Sequence, residues 1–187
     1  IKYGLILTSR AKEIIEQFIK DSTGGNSWDL EKYCFENDVS YEILDKLYEI
    51  LLLEARNKVV DSFFRYIEKK RLPKERFYMP RRKQFIKIGL IDALQGMIDD
   101  KYDILCISLP PGTGKTTIEK FFHSAVIGWY SNGYNLFYSH SGDITRMYYD
   151  GVYDIVTNAD EYAWNEIFPR LKVTSTNAKL ETFNVGK

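Results

Sequence analysis

The residues best equipped for chemistry are Ser108-Leu109-Pro110-Pro111-Gly112-Thr113-Gly114-Lys115-Thr116-Thr117. An apolar run, Ile104 to Ile107, leads in, and a helical pattern from Ile118 leads out. Strand, glycine loop, Lys-Thr and helix are the context a phosphate-binding P-loop requires. The backbone N–H groups of Gly112 to Lys115 would line a concavity that suits an anion. The helix adds the positive end of its dipole beneath it. Lys115 would reach the β- and γ-phosphates and the Thr116 hydroxyl would ligate Mg²⁺, which makes these two the candidate catalytic residues. Pro111 and Thr117 complete the candidate nucleotide-binding loop. The general pattern G-x-x-x-x-G-K-[ST] fails at one position, where Leu109 replaces the first glycine. The competing reading is a Pro- and Gly-rich surface turn, but such a turn has no need of Gly-Lys-Thr opening a helix.

Bulk composition narrows the class. The 187 residues suffice for one sizeable domain with an appendage, and 44% hydrophobic with 28% charged residues is ordinary globular composition. Formal net charge is zero, so contact with nucleic acid requires a local basic patch. With only Cys34 and Cys106, no disulfide framework is expected and a reducing compartment fits; Cys106 reads as core. No apolar run is long enough to span a bilayer and no signal peptide is visible. The chain begins at Ile1, so it is expected to be part of something longer.

Taken in order, Ala11, Ile14, Ile15, Phe18 and Ile19 recur at helical spacing, residues 21–27 form a loop, and a short helix follows from Trp28. Ser40 can cap a long helix whose apolar face runs from Ile43 to Ile67. These helices are either a small packing or docking bundle or a helix-turn-helix; Glu42 and Asp45 at the opening of the last favour the bundle. Residues 1–72 therefore read as an all-α N-terminal region and residues 73–187 as an α/β unit with a P-loop-type parallel sheet. Between them, Lys69 to Lys87 holds nine cations against Glu75 alone. Pro73 and Pro80 suggest an extended linker, in which Phe77, Tyr78 and Phe85 could stack on a base. A helix is expected from about Arg82 to Asp99, another from Thr116 to Tyr130, a strand at Tyr134 to Ser139, a helix from Ile144 to Thr157, and a strand pair in the tail.

An NTPase of this kind also needs an acid at the end of a second buried strand, and usually a glutamate that aligns water. Ile50 to Glu54 has the letters but lies in a helical pattern ahead of the loop. Asp154, Asp160 and Glu161 fall in helix or loop context. The expectation is that the chain stops partway through an ATPase domain and does not turn nucleotide over alone. Arg146 is a candidate for a charge donated to a neighbouring subunit.

Arg76-Phe77-Tyr78-Met79-Pro80-Arg81-Arg82-Lys83-Gln84-Phe85, then the diprolyl loop, then Phe137-Tyr138-Ser139-His140-Ser141, resemble the large terminase subunit of tailed bacteriophages. The resemblance covers about residues 76–170. It implies an ATP-driven motor, with Mg²⁺, that packages double-stranded DNA into a procapsid in the host cytoplasm. Gln84 would read the adenine, and 137–141 would be the strand beside the P-loop strand. Implied partners are the small terminase subunit, the portal protein and further copies in a ring. Many members carry an arginine in the P-loop; Gly112 follows Pro111 here. A helicase with an upstream Gln motif is the alternative, and a non-catalytic docking module is the alternative of another class.

Overall fold

The computed structural model describes residues 41–177 and 179–186, with Ser9 and Glu13 as isolated helical positions. The helices expected ahead of Tyr41, and with them the helix-turn-helix question, lie outside the described residues. The chain is mixed α/β and mostly helical. Its elements are α1 (Tyr41–Arg56), α2 (Val60–Ile67), a 3-10 turn (Pro73–Glu75), α3 (Tyr78–Lys87), α4 (Leu90–Ile98), α5 (Lys115–Trp129), α6 (Gly142–Thr157), α7 (Trp164–Ile167), β1 (Lys172–Asn177) and β2 (Thr182–Gly186).

The long helix expected from Ser40 is two helices. The break falls at Lys58, in the left-handed region at φ 64°, where helices commonly end. Tertiary partners satisfy the groups the break exposes. Gln95 Oε1 accepts from Val60 N at 2.9 Å, Gln95 Nε2 donates to Lys58 O at 3.1 Å, and Trp129 Nε1 donates to Ala55 O at 2.8 Å. The helix expected from Arg82 to Asp99 is likewise two, divided at Gly89 with φ 73°. Pro80 does not extend the chain. It occupies the first turn of α3, where its missing N–H has no intrahelical acceptor to lose.

One core joins these helices. Phe63, Phe64 and Ile67 of α2, Tyr78 and Phe85 of α3, Ile118, Phe121 and Ala125 of α5, Val152 and Ile155 of α6 and Trp164 of α7 are all buried within it. Trp164 buries its indole and still satisfies it, donating to Ser124 O at 2.9 Å. The short α7 had no signal in the periodicity; Ala163 N donates to Ile67 O and Arg56 donates to the carbonyls of Glu166 and Ile167, which hold it in place.

The strand pair expected in the tail is present as an antiparallel hairpin, from Lys172↔Gly186 to Asn177↔Thr182. It is the one sheet among the described residues. Residues 104–109 and 134–139 lie in no helix and carry no ladder, to each other or to any described strand. In 104–109 burial alternates: Leu105, Ile107 and Leu109 pack against the core, while Ile104 is 80% exposed and Cys106 is exposed. Cys106 is thus not a core residue, because the alternation of a strand puts it on the uncovered face. Leu136 and Tyr138 are 91% and 87% exposed, while Phe137 packs inward.

Extended segments with unpaired backbone and bare apolar side chains template further pairing. The 187-residue chain should therefore associate with itself as concentration rises, and Leu136→Lys with Tyr138→Lys should reduce that association. Sedimentation velocity across a concentration series checks this; identical profiles for wild type and double variant would count against it.

Candidate phosphate-binding loop

The glycine loop lies between Leu109 and the first turn of α5. Gly112 and Gly114 take φ of 78° and 86°, conformations that cost a side-chain-bearing residue about 1–2 kcal/mol. Gly114 O accepts from Thr117 N and Ile118 N, both at 3.1 Å, which starts the helix. Thr113 Oγ1 donates to Pro110 O at 2.9 Å and tightens the turn. Among the described residues, the N–H groups of Gly112, Thr113, Gly114, Lys115 and Thr116 donate to no carbonyl or side chain. A run of unused donors at the head of a 15-residue helix is what an anion needs. Thr116 is exposed at the mouth, and Lys115, Thr117 and Thr113 are half-buried; Pro111 is exposed.

The basic stretch ahead of the loop is not a solvated linker. Glu68, 1% exposed, accepts from Phe77 N at 2.8 Å and Tyr78 N at 2.8 Å, so a buried carboxylate caps α3. Arg76 is buried and donates to the carbonyls of Arg71 and Lys69. Arg82 forks onto both Asp61 oxygens at 2.8 and 2.9 Å, and Tyr78 Oη donates to the same carboxylate at 2.6 Å. Tyr78 and Phe85 are buried, so they pack the core and cannot stack on a base. Phe77 alone of the three aromatics stays partly open, and it meets the loop. A Cβ placed on Gly114 would overlap the Phe77 ring. Gly114 is therefore required twice, by its φ and by this contact. Phe77 also meets Phe121 edge-on, with centroids 6.0 Å apart.

Gln84 lies exposed in the last turn of α3, with its amide unengaged among the described residues. The acids considered for catalysis are elsewhere: Asp154 accepts from Asn158 at 3.1 Å, and Glu161 pairs with Arg71 at 3.6 Å. Arg146 is exposed on α6. The structure adds one acid that the sequence reading passed over. Glu119 follows Lys115 by one helical turn; burial raises its carboxyl above the usual range and the Lys115 charge lowers it. The i, i+4 spacing was visible in the sequence, but its half-buried state was not.

A second feature was missed. A cavity of about 460 Å³ opens between the 131–137 segment, α6 and β2, lined by His123, Phe137, Tyr148, Tyr149, Val152 and Phe183 among others. Phe137 and Tyr148 stack at 3.7 Å within 2° of parallel, and burial lowers the His123 pKa. No helix among the described residues is long and apolar enough to cross a membrane. The chain matches no protein-family model, no curated protein and no solved structure.

Two predictions concern this scaffold. Gly114→Ala should destabilise the chain by about 1–2 kcal/mol from backbone conformation plus a further overlap term, and Phe77→Ala should relieve part of it. Urea denaturation of the four species would expose a coupling energy of about 0.5–3 kcal/mol; strict additivity would mean that the two residues do not meet. For Asp61, burial raises the pKa, but the hydrogen bond and charge of Arg82, the charge of Arg65 and the Tyr78 hydroxyl together hold it below 3.8. Its contribution is present above that ordinary value and is lost as pH falls through the lower folded value. Glu68, raised by burial despite its amide partners, acts in the opposite sense, its contribution falling as pH rises above 4.5. The difference between wild type and Asp61→Asn in melting temperature should therefore shrink on acidification below about pH 4. A constant difference from pH 6 to pH 2 would contradict the pairing.

Proposed function

We propose that this chain binds ATP with Mg²⁺ at residues 111–117 and is the nucleotide-binding part of a viral DNA-packaging ATPase of the large-terminase kind. The observation that carries the reading is the loop: two left-handed glycines, five amides without acceptors, and Lys115 and Thr116 opening α5. Lys115 would reach the terminal phosphates. Thr116 offers one exposed hydroxyl, which suits a cation that takes most of its oxygens from phosphate and water. Gln84, with both donor and acceptor, suits the N6/N7 edge of adenine. In the same reading, 104–109 and 134–139 are strands of a parallel sheet. The alternating burial of 104–109 and the position of α5 between the two segments support it, and their unpaired edges leave room for further strands. DNA translocation, the small terminase subunit, the portal protein, a ring of copies and the host cytoplasm belong to the proposal through the resemblance.

Calorimetry with ATP and GTP tests it. Lys115→Ala should weaken ATP by about 1.5–3 kcal/mol, the worth of a charge-assisted contact. Gln84→Ala should weaken ATP more than GTP. ATP affinity unaffected by Lys115→Ala would remove the loop as the site, and an unchanged ATP/GTP ratio would remove Gln84 as the base reader.

A further inference from the structure

The arginines of the helical layer divide into two kinds. Arg82 forks onto Asp61, Arg65 faces Asp61 at 4.0 Å, Arg71 pairs with Glu68 and Glu161, and Arg76 is spent on buried carbonyls. Arg81 has no carboxylate among the described residues. It donates through one nitrogen to Phe77 O at 3.1 Å and stacks its guanidinium 4.6 Å from the centre of the Phe77 ring. That ring is the one that lies on Gly114. A single phenyl ring thus holds a cation that has no carboxylate partner among the described residues beside a loop whose amides have no acceptor among them.

The guanidinium, the amide nest and the N-terminal end of α5 are all positive and repel one another. Several contacts fix the ring that carries the guanidinium. Glu68 clamps the Phe77 amide, and Phe85 and Phe121 flank the ring. An anion in the loop would turn each repulsion into attraction. Arginine's planar fork, with four donors still unused here, is well matched to phosphate oxygens.

Resting on the reading of 111–117 as a nucleotide site, we propose that Arg81 is a second phosphate-binding cation of that site, carried by Phe77 and acting beside Lys115 on the polyphosphate chain. Phe77 is its positioning residue.

Calorimetry of the 187-residue chain with ATP, ADP, AMP, adenosine and pyrophosphate, all with Mg²⁺, tests the assignment in wild type, Arg81→Gln, Arg81→Lys and Lys115→Ala. Arg81→Gln should weaken ATP, ADP and pyrophosphate about tenfold or more and adenosine less than twofold, with Arg81→Lys in between. Thermal unfolding without nucleotide should show Arg81→Gln still cooperatively folded, losing at most the Phe77 O hydrogen bond and the cation–π contact. An equal loss for adenosine and ATP, or no loss at all, would overturn the proposal. If ATP binds wild type and Lys115→Ala equally, the reading of the loop itself fails; if binding depends on Lys115 and not on Arg81, this inference alone does.

Discussion

The carboxylate of Glu68 is the constraint on which the rest depends. After α2 the chain must reverse and begin α3 inside the protein, where the first amides of a helix have no partners of their own. Glu68 is buried beside them and accepts from Phe77 N and Tyr78 N. Burial raises its pKa above the usual carboxylate value, and the two amides with Arg71 and Arg76 oppose that shift. Removing the carboxylate would leave buried donors unpaired at about 1–3 kcal/mol each.

From that clamp the geometry passes outward through rings. Tyr78 stacks on Phe85 and meets Phe64 edge-on; Phe77 meets Phe121; Phe121 packs near Phe64. Helices α2, α3 and α5 are thereby one aromatic layer. The glycine loop rests on it through the Phe77–Gly114 contact. The backbone of a glycine-rich loop is intrinsically permissive, since glycine favours no single conformation. Here its shape is set by a layer built largely from residues ahead of it in the chain.

The other side is different in kind. Residues 104–109 press Leu105, Ile107 and Leu109 onto the helices and leave the opposite row bare, and 134–139 packs Phe137 inward while Tyr134, Leu136 and Tyr138 stay exposed. A strand needs both a covered face and a hydrogen-bonded neighbour, and these have the first without the second. The hairpin β1–β2 pairs with neither, and the aromatic cavity opens where it approaches 131–137.

What the sequence determined by itself was local. Gly112, Gly114, Lys115 and Thr116 are contiguous, and Ser131-Asn132-Gly133 ends α5 where a turn signal stands, so the loop, α5, α6 and the tail hairpin were legible from spacing and turn chemistry. Tertiary structure decided whatever depended on distant partners. Lys58 ends α1 because Gln95 and Trp129 receive the freed groups. Within residues 69–87, a run of charge in sequence, Arg76, Tyr78, Met79 and Phe85 are buried, and Asp61 and Glu68 take up Arg82 and the α3 amides. Cys106 looked like core by its neighbours and is exposed, since period-two alternation says which residues share a face but not which face is covered. The meeting of Phe77 with Gly114 spans 37 residues of chain, and no local pattern encodes a contact whose free energy comes from packing.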